Sequence, residues 1–129
     1  MYHSLQVIGR ISKDVELRNM DTTPVANFSV ATNRKYRTPD GKTETQTHWF
    51  RVTVRGHQAV LCAQVLRKSD VVFIEGRLIA DRDKGTPRIY QGDDGPNTAF
   101  EVIGERIIFI PKNDPRAQEE DTVAEEVEA

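Results

Sequence analysis

Trp49-Phe50-Arg51-Val52-Thr53-Val54-Arg55, running directly into Gly56-His57-Gln58-Ala59-Val60-Leu61-Cys62-Ala63-Gln64-Val65-Leu66-Arg67-Lys68, decides the fold. Before Gly56 the period is two. His48, Phe50, Val52 and Val54 alternate with Trp49, Arg51, Thr53 and Arg55, the pattern of a half-buried strand. After Gly56 the period lengthens. Ala59, Ala63 and Leu66 fall at helical spacing with Val60 beside them, and no Pro or interior Gly interrupts the run. Arg67 and Lys68 stand at its end, where cations favour the helix dipole. The spacing therefore predicts a strand, then a helix over 56–68.

Only strand patterns lie on either side. Leu5, Val7, Gly9 and Ile11 alternate with Gln6, Ile8, Arg10 and Ser12. Ala26, Phe28, Val30 and Thr32 alternate with Asn27, Ser29, Ala31 and Asn33. Val71–Ala80 and Phe100–Ile110 are β-branched, apolar-rich runs. Turn chemistry separates the strands at Thr38-Pro39-Asp40-Gly41, Lys84-Gly85-Thr86-Pro87 and Asp94-Gly95-Pro96-Asn97. The expected fold is all-β. Five strands, with one helix between the third and fourth, make the layout of the oligonucleotide/oligosaccharide-binding barrel, or OB-fold. Long β-hairpin arms join strands two to three and four to five.

The chain has 129 residues and a net charge of −2. That length predicts one domain with a proper core. The −2 is a sum of unlike parts. From Pro111 to Ala129 there are seven acids (Asp114, Glu119, Glu120, Asp121, Glu125, Glu126, Glu128) and two bases (Lys112, Arg116), a net of −5. Residues 1–110 then carry +3. The segment 111–129 has no aromatic and few apolar residues. It cannot bury enough to offset its ordering entropy, so a disordered acidic tail is expected after a folded domain at 1–110. The longest apolar run is Ala59–Ala63, far short of a membrane span. No basic, then apolar, leader is read at Met1-Tyr2-His3-Ser4, and the single Cys62 permits no internal disulfide. A cytoplasmic location is expected.

An enzyme is not expected. Gly-rich phosphate loops and Gly-x-Ser-x-Gly are absent from the sequence. His3, His48 and His57 lack metal-ligand spacing, so neither a metal nor another cofactor is expected. Cys62 reads as a small buried hydrophobe, and His57 as a helix-start residue.

The third strand carries the strongest signal. Trp49, Arg51, Thr53 and Arg55 share one face. An aromatic and two guanidinium groups are what single-stranded nucleic acid needs. Bases stack on rings or Arg planes, and phosphates are drawn to the charge. The bland alternative is a solvated face with one half-buried Trp. Both hairpins add an aromatic among cations: Arg34, Lys35, Tyr36, Arg37 and Lys42 on the first, and Arg77, Arg82, Lys84, Arg88 and Tyr90 on the second. The second also holds Asp81, Asp83, Asp93 and Asp94, and so reads equally as a neutral arm. By parity, strand five is apolar on both faces, with Ile103, Ile107 and Phe109 on one and Phe100, Val102, Ile108 and Ile110 on the other. Such a surplus implies subunit contacts, or else cover by the helix and loops.

Several segments in order resemble the bacterial and mitochondrial single-stranded DNA-binding protein family over nearly all of residues 5–110. They are Val7-Ile8-Gly9-Arg10-Ile11, Asp14-Val15-Glu16-Leu17-Arg18, Val25-Ala26-Asn27-Phe28-Ser29-Val30-Ala31-Thr32, Thr47-His48-Trp49-Phe50-Arg51-Val52, Leu66-Arg67-Lys68 and Val72-Phe73-Ile74-Glu75-Gly76-Arg77-Leu78. The resemblance implies sequence-independent binding and protection of single-stranded DNA in replication, recombination and repair, by a homotetramer in the nucleoid. It assigns base stacking to Tyr36 and Trp49, and strand contacts to Arg51 and Lys68. Phe50 falls near a subunit interface. Tyr90 takes the second-hairpin stacking position when aligned backward from Phe100-Glu101-Val102. Aligned forward from Gly76-Arg77-Leu78, Asp83 falls there instead. The backward alignment is preferred and implies an insertion over Asp81–Pro87. With Arg34, Arg37, Arg55, Arg77, Arg82 and Arg88, these residues make up the expected nucleic-acid surface.

Three positions depart from the family pattern. Arg55 replaces a frequent aromatic, Val15 a usual Pro, and Ser69 a usual Gly. The chain's end, Glu125-Glu126-Val127-Glu128-Ala129, has the acidity but not the aromatic tip through which such tails recruit replication and repair proteins. An OB-fold adaptor working through protein contacts, of the primosomal accessory type, is the alternative. RNA is a possible second ligand.

Overall fold

In the computed structural model, residues 1–111 and 123–127 are described. The elements in order are β1 (Leu5–Ile11), β2 (Glu16–Met20), β3 (Thr23–Arg37), β4 (Thr43–Arg55), α1 (His57–Val65), β5 (Val71–Leu78), β6 (Ile89–Gly92), β7 (Gly95–Thr98), β8 (Phe100–Ile110) and β9 (Val123–Val127). Five of them close a barrel in the order β1-β5-β8-β4-β3, and β1 returns to β3 through Arg10↔Ala31 and Ile11↔Val30. The barrel pairings are antiparallel except β4–β8, which is parallel from Phe50↔Phe100 to Thr53↔Ile103. This is the expected five-stranded OB barrel with one helix between its third and fourth strands.

Closure demands close backbone approach. A Cβ on Gly9 would sit 2.5 Å from the Ala31 carbonyl oxygen, where β1 leaves β5 for β3. A Cβ on Gly76 would sit 1.9 Å from the Ile103 carbonyl oxygen. Only glycine fits at either place.

The core follows the alternation read from the sequence. Val7 and Ile11, Ala26, Phe28 and Val30, Val52 and Val54, and Val72 and Ile74 point inward from β1, β3, β4 and β5. Ala59, Cys62 and Leu66 join them from the helical segment. Each such large side chain contributes roughly 1.5–3 kcal/mol on burial. The buried helical stripe thus runs through Cys62 rather than Ala63. The helix is also shorter than the spacing suggested. Leu66 is already extended (ψ 137°), so Arg67 and Lys68 lie beyond the helix. Arg67 still serves its end: its guanidinium donates to the carbonyls of Ala63 (3.1 Å) and Leu66 (2.9 Å). Burial pushes the Cys62 thiol pKa up to about 11, as suits a core side chain.

Strand β8 departs from simple parity. Its pairing with β5 shifts register between Glu75 and Gly76, so that Gly76 faces Gly104 and Glu75 faces Arg106. The extra residue, Glu105, is a β-bulge and inverts the faces beyond it. Val102 and Gly104 are inward before the bulge, and Ile107 lies against the core after it. Ile103 and Ile108 therefore share the outer face that parity had divided between them.

Two elements were not foreseen. β2 pairs with β3 through a two-residue turn, Asp21-Thr22, both at positive φ (49° and 69°). Gly95-Pro96-Asn97, read as a turn, is strand β7, and the reversal lies at Asp93-Asp94. The first arm is as expected. β3 and β4 run paired from Val25↔Arg55 to Arg37↔Thr43, and Gly41 turns the chain at φ 86°. Most of the expected unstructured acidic segment lies outside the described residues. Within it, Val123–Val127 forms β9, parallel to β3 beside Lys35 and Arg37, on an edge that β1 and β2 leave uncovered.

Candidate nucleic-acid interface

Because Val52 and Val54 are drawn into the core, Trp49, Arg51, Thr53 and Arg55 are turned outward. The indole of Trp49 is 55% exposed. Opposite them on β3 stand Ala31, Ser29 and Asn27, small side chains that leave room above the sheet. Thr53 Oγ1 and Asn27 Oδ1 are joined at 3.0 Å, which ties the row together.

The β6–β7 hairpin folds over this face. Tyr90 on β6 meets Arg51. The guanidinium carbon lies 4.8 Å from the ring centroid, and Nη2 donates to the tyrosine hydroxyl at 3.0 Å. Trp49, Arg51, Tyr90, Phe100, Ser29 and Lys13 are among the walls of a groove of about 660 Å³. Asp83 stays in the turn after β5, where it and Lys84 donate backbone N–H groups to the Asp81 carboxylate. Of the two residues offered for the second-hairpin stacking position, Tyr90 is the one brought to the groove.

An acid sits on the same face. Glu101 of β8 is the register partner of Arg51. Its side chain is largely buried and takes both ends of the Arg88 guanidinium, with Nε to Oε1 at 3.2 Å and Nη2 to Oε2. The hydrogen bond and charge of Glu101 raise the Arg88 pKa above its already high value. Arg88 precedes β6, so the pair fastens the root of the hairpin that carries Tyr90. Arg77 is likewise engaged, with Glu105 at 3.1 Å. Both arginines, expected on nucleic acid, have carboxylate partners, and the exposed Arg77 pair is worth no more than about 1 kcal/mol.

The other expected residues are spread around this centre. Arg34 and Tyr36 lie on the β3 face opposite to Trp49, since their register partners are Gln46 and Glu44. The Tyr36 hydroxyl donates to Glu44 at 3.1 Å, and the Arg34 guanidinium is 5.8 Å from the Tyr36 ring. Arg37 is exposed at the end of β3, and Arg82 lies in the turn after β5. Lys68 follows α1 with its backbone N–H on Asp14 Oδ1 at 3.0 Å. Ser69 beside it has φ 77°, a left-handed conformation that glycine adopts more readily than serine. Phe50 is half-buried and packs on the core.

One groove residue, Phe100, was missed. Phe100 is 54% exposed, and its ring lies 5.6 Å from Phe50 and 6.4 Å from His48. Its only signal in the sequence was an aromatic at the start of a strand. The neighbours that place it come from parallel pairing. Among the described residues no cluster of His, Cys, Asp or Glu could hold a metal, and no helix is long and apolar enough to cross a membrane.

Comparison with known proteins points the same way. The single-strand binding protein family matches residues 2–109. A single-stranded DNA-binding protein of Neisseria meningitidis serogroup A is 33% identical over 106 residues, covering 81% of this chain and 57% of the relative. The chain thus spans little more than half of that relative's length. Single-stranded DNA-binding protein 1 of Clostridium acetobutylicum is 32% identical over 111 residues, covering 84% of this chain and 93% of the relative. Among solved structures, a Plasmodium falciparum SSB in complex with ssDNA superposes with a TM-score of 0.70 at 26% identity, covering 86% of this chain and 96% of that one.

Proposed function

This chain belongs to the single-strand binding protein family, and from that premise we propose that it binds and shields single-stranded DNA with little regard to sequence. The observation that carries the reading is the groove in which Trp49, Arg51 and Tyr90 meet. Stacked bases need the rings, and the phosphates between them need the cations. Trp49, Tyr90 and Arg51 form the centre of the surface. Arg55, Lys68, Arg37 and Arg82 extend its positive field, and Arg34 with Tyr36 carries it onto the first arm. The role is non-enzymatic coating of strands exposed in replication, recombination and repair, at the nucleoid.

Residues 1–110 are the binding domain and 111–129 an acidic tail in this reading. Self-association to a homotetramer is supported by the outer face of β1, β5 and β8. There Ile8, 47% exposed, stands in one cross-strand row with Phe73 and Ile108. In this reading Phe50 lies near a contact between copies.

The test is a titration with oligo-dT, read by Trp49 fluorescence. Quenching by the single strand and not by duplex of equal length is expected. Equal affinity for both would overturn the reading. Light scattering on the same samples gives the subunit count.

A further inference from the structure

Resting on the single-strand-binding reading above, we propose that Phe100 is a second base-stacking shelf in the groove, backed by Phe50 and flanked by His48. Phe100 opens β8 and is the parallel register partner of Phe50. That pairing sets the two rings 5.6 Å apart at 30°. Phe50 is itself packed against the buried core, so the Phe100 ring is braced from within. His48 stands 6.4 Å away at 41° and lines the same groove. The remaining surface of Phe100 is open to solvent in a groove walled by Trp49, Arg51 and Tyr90.

Those neighbours specify the occupant. A braced, half-exposed ring offers a flat apolar surface of fixed orientation, which suits a planar heterocycle with little ordering cost. Arg51 and Lys13 line the same groove and supply cations for the phosphates that link one base to the next. A nucleobase neighbouring the one on Trp49 satisfies both requirements. Stacking of this kind tolerates any base, in keeping with binding that ignores sequence.

The test uses the full chain with Phe100→Ala, Phe100→Leu and Trp49→Ala, each titrated with oligo-dT and sized by light scattering. Phe100→Ala is expected to weaken binding about 5- to 150-fold, the size of one base–aromatic stack, with the subunit count unchanged. Phe100→Leu keeps apolar bulk for folding but lacks the π face, and should weaken binding as well. The chain has a single Trp. Trp49→Ala combined with Phe100→Trp therefore moves the only indole to the shelf, where oligo-dT should quench it. Full affinity in both Phe100 variants, with Trp49→Ala weakened, would overturn the shelf and leave the binding reading intact. A changed subunit count at unchanged affinity would assign Phe100 to a contact between copies, and also overturn it. No binding by the unaltered chain would instead defeat the reading on which the shelf depends.

Discussion

The guanidinium of Arg51 lies 4.8 Å from the centroid of the Tyr90 ring while its Nη2 donates a 3.0 Å hydrogen bond to the Tyr90 hydroxyl. One residue belongs to the barrel and the other to a hairpin that crosses it. The contact therefore fixes where the hairpin sits, and it presents ring and cation together.

Ring and hydroxyl can be separated by mutation. Tyr90→Phe removes the hydrogen bond but keeps the stacking face, so affinity for oligo-dT should change by no more than about fivefold, the worth of one net hydrogen bond. Tyr90→Ala removes both and should cost about 1–3 kcal/mol. Fluorescence titration of the two variants side by side checks the difference. Equal losses would mean that the hydroxyl, and not the ring, matters.

Glu101 takes up the Arg88 guanidinium with both carboxylate oxygens. Glu101→Gln keeps the side chain's shape and frees the cation. The log–log salt dependence of single-strand binding should then steepen by about 0.7, one further counterion released. Titrations at several salt concentrations measure the slope. An unchanged slope would mean that Arg88 stays out of reach of the strand.

Ser69 adopts φ 77°, a region that costs an L-residue roughly 1–2 kcal/mol. Its backbone N–H donates to the Ile11 carbonyl at 2.7 Å, a bond that glycine keeps. Ser69→Gly should stabilise the fold by about 0.5–1 kcal/mol after the entropy of glycine in the unfolded chain is counted. Thermal unfolding should show a higher Tm.

Burial pushes the Cys62 thiol pKa up to about 11 in the fold, against an ordinary value of 9.0. The folded pKa is the higher one. The associated stability is thus complete below about pH 9 and is lost as the pH rises through 11, by on the order of 2 kcal/mol. Denaturant titrations from pH 8 to 11 should show this fall, and Cys62→Ala should flatten it. At pH 8 the native thiol should resist alkylation, because the reactive thiolate is scarce and the sulfur is buried.

Residues 111–129 carry −5 and are tethered to a domain of +3. Removing 112–129 should tighten single-strand binding at low salt, with the gain fading as salt screens both attractions. Weaker or unchanged binding of the shortened chain at low salt would contradict this.

The alternation of Phe28, Val30, Val52 and Val54 made the barrel walls readable, because each inward side chain is separated from the next by one outward one. The same rule failed on β8. A bulge at Glu105 is a long-range matter of how Gly76 and Gly104 approach each other, and neither glycine announces it alone. Trp49 and Arg51 were legible as a candidate site because they share one strand face. Tyr90 was legible as an aromatic among cations, but its seat on Arg51 depends on a hairpin whose turn was placed too late in the sequence. Phe100 was passed over because its neighbours, Phe50 and His48, come from another strand running parallel to it.

That parallel seam also sets a schedule. β4 and β8 meet only after α1, β5 and the β6–β7 hairpin have been made, so the joint that completes the groove is a long-range one, from Phe50 to Phe100. Contacts of this kind form slowly, since the intervening loop must be closed before they give anything back. During synthesis Trp49 and Arg51 leave the ribosome well ahead of Phe100 and Glu101. A growing chain thus holds only one wall of its groove until β8 has been made.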